Sequence, residues 1–346
     1  MDTWVAQAVS KISADSHRSA DTHLFKLLVP RLEGIDIYLK DESTHPTGSL
    51  KHRLARSLFL YALCNGKITE GTTVIEASSG STAVSEAYFA RMIGVPFIAV
   101  IPKSTAQSKI EQIELYGGQT HFVDSAPQMH AASVELANSI GGYFMDQFTY
   151  AERATDWRGN NNIAESIFRQ MEFEPYPIPK MLVMSAGTGG TSATLGRYIR
   201  YKGHDTELTV VDPENSVFYE SYISGDTSLT SNKSSRIEGI GRPEVELSFQ
   251  PDVIDQMIKV PDAASVATIL WLEKLIGRKA GASTGTNLWG TLSIAKRMME
   301  RGEQGSIVTL MCDSGQRYLD TYYRPEWVSE HIGDTSLYEA ELNDWL

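Results

Sequence analysis

Short apolar runs alternate along the chain with longer segments in which apolar residues recur at helical spacing. Residues 96–102 (PFIAVIP), 181–187 (MLVMSAG) and 306–315 (SIVTLMCDSG) are runs with the length of a buried strand. A strand that is buried on both faces shows a continuous apolar run because neither face meets water. Strand and helix patterns that alternate in this way predict an α/β protein with parallel sheets and helices on both faces.

The same alternation covers most of the chain. Further strand patterns lie at 72–79, 119–124, 142–148 and 207–214. Helix patterns separate the strands at 82–94, 104–118, 127–140 and from about Gly190 onward. Residues 224–236 are rich in serine and threonine and lack any period, which predicts a loop.

Length and charge narrow the class of protein. A chain of 346 residues is too long for most single cores and favours two domains. The hydrophobic content of 42% is enough for a sizeable core and disfavours disorder. The excess of 43 acidic over 31 basic residues gives a net charge of −12, which disfavours a nucleic-acid binder.

The cysteines and the N-terminal residues indicate the cellular compartment in which we expect the protein. Cys64 and Cys312 are the only cysteines, and neither belongs to a CxxC pair. This disfavours a disulfide framework or a zinc site and fits a reducing cytoplasm. The N-terminal residues lack the apolar core of a signal peptide, and no apolar run reaches 18 residues. We therefore expect a soluble cytoplasmic protein with no membrane or nucleic-acid partner.

A glycine-rich loop follows the strand pattern at 181–187. Residues 187–191 read GTGGT and lead into a helix pattern. Small residues let the backbone approach an anion, and the N–H groups at a helix start point toward it. The loop therefore predicts a phosphate site, with an ordinary strand–helix turn as the alternative. A dinucleotide site is weakly supported because the sixth position is Ser192, and the P-loop lysine is absent.

Two further strand–helix junctions carry hydroxyl groups. Residues 78–82 (SSGST) open a helix and would suit a substrate carboxylate, although an ordinary helix cap has the same composition. Residues 280–290 (AGASTGTNLWG) form another small-residue loop, in which Ser283 would offer a hydroxyl to a ring nitrogen. Alone, this last loop favours a structural role.

Residues 40–55 (KDESTHPTGSLKHRLA) place Lys51 directly after a tight turn and at the start of a helix pattern. In doubly wound sheets such junctions line the ligand crevice. An amine, a phosphate cradle and a partner for a ring nitrogen are together the requirements of pyridoxal 5′-phosphate. The combination of loops therefore predicts this cofactor more strongly than any loop does alone.

The motifs together resemble the cysteine synthase and cystathionine β-synthase family, fold type II of the pyridoxal-phosphate enzymes, over residues 20–325. The similar segments are PTGSLKHR, SSGSTA, the pair Gln147-Phe148, EGIG at 238–241 and GASTG, and GTGGT is identical to the family's phosphate loop. The resemblance implies an α/β fold of two doubly wound domains with parallel-type sheets, like tryptophan synthase β, and an active site in the cleft between them.

The resemblance also implies a division of the chain and a set of site residues. We expect a smaller substrate-loop domain at 45–150, a larger cofactor-binding domain at 15–44 plus 151–325, and a peripheral tail at 326–346. Lys51 is the implied catalytic lysine, which forms an imine with the cofactor. The implied cofactor-binding residues are Lys51, Ser81, Gly187, Thr188, Gly189, Gly190, Thr191 and Ser283. The implied substrate-binding residues are Ser78, Ser79, Gly80, Thr82, Gln147 and Gly239. We expect no metal ligand.

Two residues depart from the family pattern. Ser81 stands where the family has an asparagine that contacts the cofactor, and His52 stands where it has an aspartate. Loss of one such hydrogen bond costs about 0.5–1.5 kcal/mol, which biases the reaction toward elimination without excluding replacement. The lysine and substrate segments most closely resemble the L-cysteine desulfhydrases of the family. This implies α,β-elimination of L-cysteine to hydrogen sulfide, pyruvate and ammonia by a homodimer.

Alternatives stay open at this point. A β-replacement synthase that makes cysteine or cystathionine would use every residue named above. A non-catalytic or NAD-binding protein with a glycine-rich crevice is the third hypothesis. Ser314, in the segment CDSG, competes with Ser283 as the partner of the pyridine nitrogen.

Overall fold

The computed structural model describes residues 3–19 and 21–345. Within these residues the chain forms ten strands, thirteen α-helices and four short 3-10 helices. The strands are β1 (Leu24–Leu27), β2 (Ile35–Asp41), β3 (Val74–Glu76), β4 (Phe97–Pro102), β5 (Gln119–Val123), β6 (Tyr143–Phe144), β7 (Met181–Ser185), β8 (Glu207–Pro213), β9 (Gln256–Val260) and β10 (Gly305–Met311). The 3-10 helices are Glu42–Thr44, Ala126–Gln128, Pro251–Val253 and Gly315–Tyr318.

The α-helices are α1 (Thr3–Arg18), α2 (Lys51–Cys64), α3 (Ser81–Ile93), α4 (Gln107–Leu115), α5 (Met129–Ile140), α6 (Gln147–Ala154), α7 (Ile163–Met171), α8 (Gly190–Lys202), α9 (Phe218–Ser224), α10 (Asp262–Ile276), α11 (Ala282–Glu300), α12 (Pro325–His331) and α13 (Ser336–Asn343). No helix in the described part of the chain is long and apolar enough to cross a membrane.

The chain folds into two compact units. The smaller unit consists of Met1–Asp21 and His45–Thr155, and the larger unit of Thr22–Thr44 and Asp156–Leu346. The predicted α/β class with parallel-type sheets is confirmed, since every strand pair except β1–β2 is parallel.

The smaller unit is built on a four-stranded parallel sheet in the order β5-β4-β3-β6. Successive side chains of a strand point to opposite faces, and β3 shows this directly. Val74 packs in an apolar cluster with Leu58 and Phe59 of α2, whereas Ile75 packs with Ala137 of α5. Helices therefore cover both faces of this sheet.

The position of α1 differs from the expected division, which placed residues 15–44 together in the larger domain. Residues 3–19 belong to the smaller unit, and only residues 22–44 of that block belong to the larger one. The physical reason is the apolar face of α1, because Ala8 and Ile12 are buried in the cluster that contains Leu58 and Phe59.

The larger unit is built on a six-stranded sheet in the order β1-β2-β10-β7-β8-β9. Every residue of β7 and β10 is buried, which explains their continuous apolar sequences. Strand β2 comes from near the start of the chain and pairs in parallel with β10, with Ile37 opposite Ile307. The loop that leaves the carboxyl end of β7 is GTGGT.

The C-terminal segment is part of the larger unit. We expected a peripheral tail at 326–346, but α13 packs against α10. Leu342 is only 1% exposed and lies in one apolar cluster with Leu272 of α10. The ring of Tyr338 meets that of Trp289 edge-on, with 5.3 Å between the ring centroids.

We expect Leu342→Ala to lower the free energy of unfolding by about 2–5 kcal/mol, because it leaves a cavity in a packed core. Leu337→Ala is the matched control, since Leu337 lies in the same helix and is 72% exposed. Chemical denaturation of the two variants measures the difference. Equal small losses would show that α13 does not stabilise the larger unit.

Candidate active site

Lys51 is the first residue of α2 and follows a tight turn in the smaller unit. The Gly48 N–H donates to the His45 carbonyl oxygen at 2.7 Å, and Gly48 has a φ of 72°. The Lys51 N–H donates to Ser49 Oγ at 3.2 Å, and Ser49 is buried. The side chain of Lys51 is half-buried. The turn therefore fixes where the backbone of the lysine enters the helix.

His52 belongs to the packing that holds this turn. Its Nδ1 is hydrogen-bonded to Thr47 Oγ1 at 3.1 Å, and Thr47 Oγ1 is hydrogen-bonded to Ser85 Oγ of α3 at 2.9 Å. The His52 ring is buried against Phe89, with 4.8 Å between the ring centroids. The hydroxyl of Thr47 was not among the predicted site residues, and it ties the turn before Lys51 to α3.

The segment Ser78–Thr82, which we call the substrate loop, joins β3 to α3. Ser78 Oγ accepts a hydrogen bond from the Gly80 N–H at 3.2 Å. Gly80 is the N-cap of α3, and Ser81 is the first residue of the helix. The loop therefore brings hydroxyl groups to a helix N-terminus, where the partial positive charge favours a bound carboxylate.

Gln147 joins the substrate loop through its side chain. Thr82 Oγ1 donates to Gln147 Oε1 at 2.8 Å across a separation of 65 residues, and both residues are buried. Gln147 begins α6, where the Asp146 side chain accepts from the Thr149 N–H and Asp146 has a φ of 51°. The structure thus brings together two of the predicted substrate-binding residues.

Two buried carboxyl groups lie behind the substrate loop, and sequence reasoning missed them. Glu76 ends β3 and Glu86 lies in α3, and both side chains are fully buried. Burial raises the pKa of Glu86 well above its usual range and also raises the pKa of Glu76. The signal in the sequence was a glutamate at the end of an apolar run and another in a helix whose neighbouring residues are mostly small or apolar.

In the larger unit, the loop Gly187–Thr191 runs from β7 into α8. Gly189 has a φ of 87°, and a Cβ there would lie 2.5 Å from the Ser248 carbonyl oxygen and 2.6 Å from Phe249 Cα. The Gly190 N–H donates to Thr188 Oγ1 at 3.3 Å. The loop therefore packs its backbone closely against residues 248–249 and presents the N-terminus of α8, which suits an anion.

The segment 238–241 (EGIG) lies beside this loop. The Gly241 N–H donates to the Ala186 carbonyl oxygen at 2.8 Å, next to the start of the loop. The Glu238 N–H donates to the hydroxyl of Tyr322 at 2.9 Å. Gly239 has a φ of 84°, and no described heavy atom lies within 4 Å of a Cβ built there. The predicted Gly239 therefore sits in a turn with open space beside its own Cα, whereas the next residue, Ile240, is buried in an apolar cluster.

Ser283 is the second residue of α11 and is 5% exposed. Its competitor Ser314 lies in a neighbouring segment, since Ala280 and Ser314 form a β-bridge. Ser314 Oγ accepts from the Gln316 N–H at 3.4 Å and caps the 3-10 helix Gly315–Tyr318. The Ser314 hydroxyl thus has a structural use within its own segment. Nowhere in residues 3–19 and 21–345 do three or more His, Cys, Asp or Glu side chains form a group that could hold a metal ion.

Comparison with known proteins places these segments in a family. Residues 19–313 match the family model described as pyridoxal-phosphate dependent enzyme. The chain is 58% identical over 331 residues to L-cysteine desulfhydrase Cds1 of Mycobacterium tuberculosis (strain ATCC 25177 / H37Ra). The aligned region covers 94% of this chain and 90% of that protein. It is 29% identical to cysteine synthase B of Campylobacter jejuni, over 83% of this chain and 91% of that protein.

A solved structure shows a similar fold. The crystal structure of O-ureido-L-serine synthase superposes with a TM-score of 0.77 and covers 96% of this chain and 98% of that one. The sequence identity is 24%, so this likeness concerns the fold alone.

We expect Gly189→Ala to lower the free energy of unfolding by about 2–4 kcal/mol, because it adds both backbone strain and a clash with residues 248–249. Gly203→Ala is the control. Gly203 ends the same helix with a φ of 66°, and no described heavy atom lies within 4 Å of a Cβ placed there. Denaturation curves of both variants separate the cost of backbone strain, which both share, from the cost of the clash, which only Gly189→Ala has. Equal losses of unfolding free energy would show that the contact with residues 248–249 is unimportant.

Proposed function

Because the chain belongs to the family of pyridoxal-phosphate dependent enzymes, we propose that it converts L-cysteine to hydrogen sulfide, pyruvate and ammonia by α,β-elimination. It is a carbon–sulfur lyase with pyridoxal 5′-phosphate as its cofactor. The single observation that carries this assignment is the similarity, over nearly the whole chain, to L-cysteine desulfhydrase Cds1. The local geometry of each unit supports it.

The loop Gly187–Thr191 fits the phosphate of the cofactor. A Cβ at Gly189 would fill the space in which the loop approaches residues 248–249. Thr188 Oγ1 accepts from the Gly190 N–H, so its own O–H can donate to a phosphate oxygen. The first N–H groups of α8 have no intrahelical acceptor and point the same way as the helix dipole. We assign Gly187, Thr188, Gly189, Gly190 and Thr191 to the phosphate.

When bound, pyridoxal 5′-phosphate supplies a ring that accepts negative charge from the α-carbon of an amino acid. We assign Lys51 Nζ two tasks: it would hold the cofactor through the cofactor's aldehyde group, and it would take the proton from the α-carbon of the substrate. The assignment rests on the position of Lys51 at the start of α2, after a turn that Ser49 and Thr47 hold.

The substrate loop is assigned to the substrate carboxylate. Ser78, Ser79 and Gly80 offer hydroxyl and N–H groups at the start of α3, and the hydrogen bond from Thr82 orients the Gln147 side chain. Ser81 is assigned to the cofactor ring, because the family pattern that the sequence resembles has a cofactor-contacting asparagine at this position. Gly239, with open space around it, is assigned to the loop that closes on the amino acid.

We assign Ser283 to the pyridine nitrogen in preference to Ser314. The preference rests on burial, because Ser283 is 5% exposed at the start of α11 whereas Ser314 is half-buried. A neutral hydroxyl partner does not require a protonated ring, whereas a carboxylate partner would favour one. An unprotonated ring suits a reaction that expels a substituent from the β-carbon.

A β-replacement synthase is the second candidate. The similarity to cysteine synthase B favours it, because the same residues serve a reaction in which a nucleophile adds before the product leaves. A synthase must keep its site closed until that nucleophile arrives. The choice between the two reactions therefore depends on whether the product leaves before or after a nucleophile adds.

We also propose that the enzyme is a cytoplasmic homodimer. The structure forms no disulfide between Cys64 and Cys312, which is consistent with a reducing compartment. The dimer is inferred from the family resemblance. Sedimentation at several concentrations would test it, and a single species with the mass of one chain would refute it.

We expect Lys51→Ala to fold and to lose the visible absorbance of covalently held cofactor. Turnover falls at least about 10²–10⁴-fold, the usual contribution of a positioned acid–base group. Lys67→Ala is the control, because Lys67 is an exposed lysine of the same unit. If Lys51→Ala still yields a chromophore that borohydride reduces onto the protein, another lysine holds the cofactor.

We expect L-cysteine alone to give sulfide and pyruvate with a kcat/KM above that for cysteine formation from O-acetylserine and sulfide. The two rates are measured on one preparation, so cofactor content cancels. We expect a difference of about tenfold, since one weakened hydrogen bond at Ser81 is worth about that much. A higher rate of cysteine formation would favour the synthase.

A further inference from the structure

Glu76 and Glu86 are two carboxyl groups of the smaller unit that the proposed reaction does not use. Glu76 is the last residue of β3, and Glu86 lies one helical turn after Thr82 on α3. Both have a relative exposure of 0%. Burying an ionised carboxylate costs free energy unless the group is paired or hydrogen-bonded. The contacts of each group therefore decide whether it is ionised or protonated.

The two groups differ in what they bind. Glu76 Oε1 accepts from the Ala77 N–H at 2.7 Å, and Glu76 Oε2 accepts from the Gln147 N–H at 3.2 Å. Neither oxygen of Glu86 has a hydrogen-bond donor among the described residues. Each carboxyl group nevertheless lies close enough to influence the pKa of the other.

Two ionised carboxylates only accept, so a hydrogen bond between them requires a proton on one of them. The backbone N–H groups stabilise a negative charge on Glu76, and Glu86 receives no such help. Glu86 is therefore the protonated partner. Desolvation by burial raises the pKa of Glu86, and the nearby charge of Glu76 raises it further.

The charged and titratable groups that the structure describes around Glu76 and Glu86 supply no positive charge that would lower the pKa of Glu86. Asp146, before α6, adds a negative charge near Glu76, and the Tyr143 hydroxyl of β6 is the titratable group that interacts with Glu86 from the sheet. Helix α2, which packs on α3, contributes His52 as its buried titratable group. The Nδ1 atom of the His52 ring is hydrogen-bonded to Thr47 Oγ1 and not to either carboxyl group.

We propose that protonated Glu86 donates a hydrogen bond to Glu76, and that the pair positions the substrate loop and Gln147 for the substrate carboxylate. Glu76 joins the two segments, because it holds the N–H of Ala77 before the loop and that of Gln147 at the start of α6. Gln147 in turn accepts from Thr82 within the loop. The assignment of the loop to a carboxylate rests on the proposed function.

The proposal makes substrate binding sensitive to alkaline pH. As the pH rises through the titration of the pair, Glu86 loses its proton and two negative charges face each other in a buried site. Repulsion then displaces Glu76 from one or both N–H groups. KM for L-cysteine rises, whereas kcat changes little because Lys51 is held by a different turn.

The test compares three variants of the holoenzyme. Glu86→Gln keeps an N–H donor of similar shape toward Glu76 and cannot titrate. Glu86→Leu removes the donor and leaves the carboxylate of Glu76 with one partner fewer. Glu135→Gln makes the same chemical change at an exposed glutamate of α5 in the same unit. Infrared spectroscopy, hydrogen exchange of residues 77–82 and 147, and steady-state kinetics on L-cysteine are measured across pH.

At neutral pH we expect the wild type and Glu135→Gln to show stronger infrared absorption from neutral carboxyl groups than Glu86→Gln, by the amount of one group. The readout is this difference, because burial also raises the pKa of Asp212 to about 7. Glu86→Gln keeps KM within about twofold of the wild type and lacks the alkaline rise in KM. Glu86→Leu raises KM about tenfold or more, the value of a hydrogen bond to a charged group, and speeds hydrogen exchange at 77–82 and 147.

A Glu86→Gln spectrum with the same neutral-carboxyl intensity as the wild type would overturn the assignment of the proton. A lower stability of Glu86→Leu with unchanged KM and unchanged exchange at 77–82 would show that the pair only supports packing. Absence of turnover in the wild type would refute the proposed function instead. The infrared and exchange measurements need no substrate, so they decide the protonation and the positioning in that case as well.

Discussion

The fold depends on one constraint, which is that a buried parallel strand must pass its chain to a helix through a short loop at its carboxyl end. In the smaller unit this happens between β3 and α3, and in the larger unit between β7 and α8. At each junction the first N–H groups of the helix, which lack an acceptor within the helix, meet small or hydroxyl-bearing residues. The residues assigned to substrate and phosphate therefore lie where the backbone already attracts anions, and the side chains refine a site that the backbone creates.

Strands made largely of apolar residues were predictable, whereas β2, which carries three charged residues, was not. Strands β4, β7 and β10 are mostly apolar and carry no charged residue, as expected for strands that are buried on both faces. The segment β2 reads IDIYLKD and carries charges, yet Lys40 is fully buried. Its ammonium group donates to the Thr22 carbonyl oxygen and to Gln170 Oε1. A partner 130 residues away cannot be inferred from local pattern, so the sequence pattern predicted no strand here.

The same limit applies to the candidate site. The lysine turn and the glycine loop were recognised because each needs a particular backbone shape, and local sequence encodes that shape. The bond between Thr82 and Gln147 was not predictable, because it joins two segments through tertiary packing. Glu76 and Glu86 were missed for a related reason. A glutamate is normally a solvent-exposed residue, and only the packing of α3 against the sheet reveals that these two are buried.

The pairing of β2 with β10 has a consequence for how the protein is made. The smaller unit is complete in the chain once Thr155 has been synthesised, and its strands are neighbours in sequence. In the larger unit, β2 lies between β1 and β10, so it must wait for residues about 270 positions later before its second edge is covered. Long-range pairing of this kind is slow and leaves strand edges exposed. On the ribosome, the β1–β2 ribbon is therefore the segment with the longest exposure to misassembly, and it is the part of the nascent chain that a chaperone would most usefully shield.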